Sequence, residues 1–133
     1  MSAGPVYAGI GFRSGATEGE IADLVRASMA RAGLDDSRLC ALAVPAFKTG
    51  HEAATAAADT FGVTLTAIDE PALADAAPRC QTQSEISLRE RGLPSVAECA
   101  ALAAAGPGSR LLAPRIKGAS ATCALAVRNG GGQ

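Results

Sequence analysis

Arg13 and Lys48 each follow an apolar run that ends in a loop, and a second basic pair, Arg115 and Lys117, stands between Pro114 and Gly118. Guanidinium and ammonium groups placed just after strands suit the recognition of carboxylates, because loops at the carboxyl ends of parallel strands converge on one edge of a sheet. Arg13 lies within Gly9-Ile10-Gly11-Phe12-Arg13-Ser14-Gly15. Glycines between a strand and a helix let backbone N–H groups and the helix N-terminus face an anion, and the same residues equally suit a tight turn with a solvated arginine. The stretch is GxGxxxG, one residue longer than the dinucleotide fingerprint, and no acidic residue follows a second strand where a ribose would need one.

Covalent catalysis finds little support. The sole histidine, His51, falls in the first turn of an expected helix, and no GxSxG elbow occurs. Cys40, Cys80, Cys99 and Cys123 lack metal-type spacing and read as buried or inert thiols, so no metal site is expected. Four Ser/Thr-x-x-Glu patterns, at Thr17–Glu20, Thr49–Glu52, Thr82–Glu85 and Ser95–Glu98, stand where helices should start, and capping accounts for their carboxylates without catalysis. The residues alone assign no catalytic role.

The elements that would position these groups follow from periodicity. Pro5–Phe12, Arg38–Val44 and Val63–Ile68 read as buried strands. Helices are expected from Thr17 to Gly33 and from Thr49 to Gly62, with a short one around Leu73 and two more over Gln83–Arg91 and Ser95–Ala105. Arg110–Pro114 and Ala119–Val127 read as two last strands, joined by the basic loop Arg115–Gly118 in a hairpin. The pattern predicts an α/β fold: a single three-layer domain with a mostly parallel, mixed sheet of about five strands flanked by helices, ordered over about 5–128, with a frayed tail at 129–133.

Twelve basic against thirteen acidic residues in 133 give a net charge of −1, which argues against a general nucleic-acid surface and leaves room for a local basic site. No apolar run reaches the length of a membrane span and the start lacks signal-peptide features, so a cytoplasmic protein is expected. With 48% hydrophobic but 3% aromatic residues, the core must be built from Ala, Val, Leu and Ile, with close helix-to-sheet packing through small side chains.

The order of segments, namely Gly9–Thr17, Lys48, Ser84-Glu85, Ser95-Val96-Ala97-Glu98-Cys99-Ala100-Ala101-Leu102 and Leu111–Lys117, resembles the family formed by the C-terminal domain of CbiG and the stand-alone CobE proteins, over about Val6 to Val127. The resemblance implies a part in building the corrin ring of cobalamin. Its matching positions are Gly9, Gly11, Arg13, Gly15, Thr17, Lys48, Ser95, Glu98, Arg115 and Lys117. All but Gly9 are taken as ligand-contacting residues. Many relatives carry an acidic residue three positions after the lysine, where this chain has His51 beside Glu52. The implied partner is a polycarboxylate precorrin, alone or with other pathway enzymes, and no cofactor is expected. Arg13 and Lys48 should share a cleft with the N-terminus of the Thr17 helix, and Arg115 and Lys117 should line its rim. A lactone-opening hydrolase using Lys48 or an arginine with Glu52 or Glu98, and a module that docks on a pathway enzyme, are the alternatives.

Overall fold

Val6, Ala8, Ile10 and Phe12 alternate with Tyr7, Gly9 and Gly11 along the first strand, and the two sets face different helical layers, as the period of two requires. The structure is a computed structural model that describes residues 5–12, 15–46, 52–80, 95–106, 108–112, 115–118 and 120–128. Along these residues run β1 (Val6–Phe12), α1 (Glu18–Arg31), β2 (Leu39–Pro45), α2 (Glu52–Phe61), β3 (Thr64–Ile68), α3 (Glu70–Ala76), α4 (Val96–Ala105), β4 (Arg110–Leu111), β5 (Ile116–Lys117) and β6 (Ala121–Val127). Short 3-10 turns at Asp36–Arg38 and Ala77–Arg79 precede β2 and follow α3.

The strands form one sheet in the order β3-β2-β1-β6-β4, with β5 also on β6. β1, β2 and β3 pair in parallel, whereas β6 is antiparallel to β1, β4 and β5. Five of the six strands described therefore run one way and only β6 runs the other, which makes the sheet mixed but mostly parallel, as expected. One face carries α1 and α2 over Val6, Ile10, Leu42, Val44, Cys123 and Leu125. The other carries α3 and α4 over Ala43, Ala124 and Ala126.

Local chemistry explains the ends of the elements. Thr17 caps α1, its Oγ1 accepting from Glu20 N at 3.2 Å, and Ser95 caps α4 in the same way through Glu98 N at 3.3 Å. Gly33, with φ of 75°, takes the left-handed conformation that stops α1 cheaply only at glycine. On β1, Gly9 leaves space for α4. A Cβ there would overlap the carbonyl oxygen of Ala97 and come within 2.5 Å of Ala101 N, so helix backbone rests almost on strand backbone.

The late edge differs in detail from the expected pattern. Among the described residues the sheet has six strands, one beyond the about five expected, because Ile116 and Lys117 pair with Cys123 and Thr122 instead of forming a loop. The hairpin turn accordingly lies after Lys117, closed by Gly118 N donating to Ala121 O at 2.7 Å. The regular part of the preceding strand is also shorter than expected, ending at Leu111. Leu111 faces Ala126 and Ile116 faces Cys123, so five steps along this edge are matched by three along β6. The expected helix over 83–91 and the tail at 129–133 lie outside the described residues.

Candidate functional site

Between the C-terminal half of α1 and the β5–β6 hairpin lies an open cleft of about 500 Å³, a size typical of small-molecule sites. Its floor is apolar: Cys123 and Leu125 from β6 are buried, and Ile116 and Ala32 flank them half-buried. Its rim is basic. Arg31 from the last turn of α1 and Lys117 are exposed, and Arg115 is half-buried. None of these three side chains forms an ion pair with a carboxylate among the described residues, where the ion pairs run from Arg26 to Asp23 and Asp36. Three cations around an apolar floor, none of them ion-paired to a described carboxylate, suit an amphipathic ligand that carries several carboxylates.

Carboxylates do shape this rim, but by holding backbone. Glu98, fully buried in the first turn of α4, accepts from Arg115 N at 3.1 Å and so ties the chain just before β5 to the opposite helical layer. Glu20 accepts from both Ser120 N and Ser120 Oγ, which clamps the β5–β6 turn to the first turn of α1. Arg115 and Lys117 are thus presented by a hairpin fixed at two points, one from each helical layer. A rigid mount of this kind limits the entropy lost when a ligand is bound.

The floor is not poised for nucleophilic attack. Ser28 Oγ donates to Leu24 O at 2.9 Å. Burial pushes the Cys123 thiol up to about 12, against a smaller opposing effect of its hydrogen bond with Ser28. Since the ordinary thiol value is 9.0, the folded chain holds this proton more tightly than the unfolded chain above that pH. The contribution of Cys123 to stability is therefore whole below about pH 9 and is lost progressively as pH rises towards about 12. Melting temperatures followed from pH 8 to 11 should fall more steeply for the wild type than for Cys123→Ala, and parallel curves would contradict the burial of a protonated thiol.

The residues expected from sequence are distributed unevenly. Arg115 and Lys117 line the cleft together. Thr17 and Ser95 act as helix caps, and Ser95 is almost wholly buried. Glu98 is buried against the Arg115 backbone and offers no surface to a ligand. Gly11 lies on β1 under Val96 and Ala97, and Gly15 is exposed before the α1 cap with open space around it. Arg13 and Lys48, which were to share a cleft, lie outside the described residues, as does His51. The α1 residues that share the cleft with Arg115 and Lys117 are Ser28, Arg31 and Ala32, at its C-terminal end. The turn of the same hairpin is tied by Glu20 to the first turn of α1, so the hairpin runs alongside the helix from its N-terminal turn. Arg31 was missed: a cation in a helix's last turn is explained locally by the dipole and gives no sign of what faces it.

Comparison with known proteins bears on this arrangement. The model of the family described as "Cobalamin synthesis G C-terminus" matches residues 6–126. The crystal structure of CobE, a protein from the cobalamin (vitamin B12) biosynthetic pathway, superposes with a TM-score of 0.86 at 31% identity, covering 92% of this chain and 89% of that one. Cobalamin biosynthesis protein chiG from Agrobacterium tumefaciens str. C58 gives a TM-score of 0.72 at 37% identity, over 91% of this chain and 96% of that one. A cobalamin biosynthesis protein G homologue from Sulfolobus solfataricus shares the fold, with a TM-score of 0.73 at 24% identity, and this chain covers 37% of its length. None of the curated proteins matches.

Proposed function

The chain belongs to the cobalamin synthesis G C-terminus family, and from that premise we propose that it binds a polycarboxylate precorrin intermediate in the cleft between α1 and the β5–β6 hairpin. The observation that carries this reading is the apolar floor of Cys123, Leu125 and Ile116 ringed by Arg31, Arg115 and Lys117. Corrin precursors combine an apolar macrocycle with acetate and propionate side chains, and the cleft offers a complement to each part. Its size suits one edge of the macrocycle, leaving the rest of the ring outside the cleft for another protein to receive.

Holding or delivery is favoured over catalysis, because the floor's hydroxyl and thiol are respectively bonded to backbone and held protonated. Glu98, a candidate for orienting water in a lactone-opening hydrolase, is engaged by Arg115 N instead. The setting that goes with this reading is cytoplasmic. No helix among the described residues is long and apolar enough to cross a membrane. Titration with hydrogenobyrinic acid, followed by the ligand's absorbance, should give saturable binding in the micromolar range, on the order of 8 kcal/mol. Absence of saturation up to millimolar ligand would remove the proposal.

A further inference from the structure

Cys80 and Cys99 stand 19 positions apart in the chain, yet their Sγ atoms lie 3.1 Å from each other. That is about 1 Å more than the ~2.05 Å of a disulfide bond. Cys80 directly follows the 3-10 turn Ala77–Arg79, is partly exposed, and also has Ala76 O at 3.8 Å and Ser95 O at 4.0 Å within reach of its thiol. Cys99 is buried near the start of α4, one residue after Glu98. Both belong to the α3–α4 side of the sheet, opposite the cleft, and the binding of a tetrapyrrole uses neither. Two sulfurs in contact, one of them reachable from solvent, form the arrangement from which dithiols oxidise.

We propose that Cys80 and Cys99 form a dithiol site that peroxide-class oxidants convert reversibly to an intrachain disulfide. The Cys80 sulfur, reachable from solvent, takes one peroxide oxygen; the O–O bond breaks, and the other oxygen leaves as water with the thiol proton. The Cys99 sulfur then displaces the hydroxyl from the Cys80 sulfenic acid. The S–O bond breaks, the S–S bond forms, and the second water carries away the Cys99 proton. Together the two sulfurs give up two electrons, and one peroxide becomes two waters. A dithiol reductant reverses the bond. Cys40, exposed on β2, is a single thiol at the surface and serves as the internal control.

The test treats the purified full chain with hydrogen peroxide at low molar excess, alkylates what remains, and maps the peptides by mass spectrometry. The expected product links the Cys80 and Cys99 peptides with loss of two hydrogens, is undone by dithiothreitol, and melts about 5 °C or more above the reduced chain, since the bond closes a loop of moderate length. Cys80→Ala should abolish the product, and because Cys80 is the less buried partner this variant is the one expected to fold. Recovery of both cysteines alkylated while Cys40 is oxidised would overturn the proposal, as would a link from either of them to Cys40. If Cys80→Ala does not fold, peptide mapping of the wild type decides alone.

Discussion

Gly9→Ala is expected to cost about 3 kcal/mol or more, lowering the melting temperature by roughly 10 °C, or to prevent accumulation of folded chain. The atoms that a Cβ would meet are the Ala97 carbonyl oxygen and the Ala101 nitrogen, both helix backbone, so no rotamer change relieves the overlap. α4 would have to lift off β1, opening the layer in which Ala97, Cys99, Ala100, Ala101 and Leu102 are buried. Lifting the helix also withdraws Glu98 from Arg115 N, so the damage would reach the basic hairpin. Gly11→Ala is the matched control, because its nearest neighbour would be Ala97 N at 3.7 Å, an ordinary contact, and its stability should change by less than about 1 kcal/mol. Thermal denaturation of both variants checks the pair, and equal losses would contradict the close approach.

The second large effect concerns binding. Removing the charges of Arg31, Arg115 and Lys117 together should weaken tetrapyrrole affinity by about 100-fold or more, with the half-buried Arg115 contributing the largest share at roughly tenfold alone. The exposed Arg31 and Lys117 should each contribute less, because solvent screens them, and their effect should shrink as salt is raised. Stability should hardly change, since none of the three side chains pairs with a described carboxylate. Ligand titrations of the single and triple variants at two salt concentrations measure this. Unchanged affinity in the triple variant would place the ligand elsewhere.

The order of strands and helices was legible because each is a local pattern: alternation in β1, the i, i+3, i+4 spacing of Ile21, Leu24, Val25 and Ser28, the caps at Thr17 and Ser95, and the stop at Gly33. Arg115 and Lys117 were legible as basic residues in a late segment. Their companion Arg31 was not, because α1 and β5 are far apart in the chain and are brought together only by the tertiary fold. Glu20 and Ser120 are 100 positions apart, and the carboxylate that reads as one half of a capping box also clamps the hairpin. Glu98 likewise caps by pattern but tethers Arg115 by tertiary contact. Ile116 and Lys117 resemble a loop in sequence because a strand of two residues has no period to detect, and its pairing is imposed by β6. The Cys80–Cys99 approach is hidden for the same reason: no local spacing joins the end of one short helix to the start of another.

Hydrogen exchange of the amides, compared with and without saturating hydrogenobyrinic acid, tests the cleft most directly. The account predicts slower exchange in peptides covering the C-terminal half of α1, around Ser28 to Ala32, and the β5–β6 hairpin from Arg115 to Leu125, while α3 and α4 on the far side of the sheet stay unchanged. Protection confined to the α3–α4 side, or none anywhere at saturation, would contradict it.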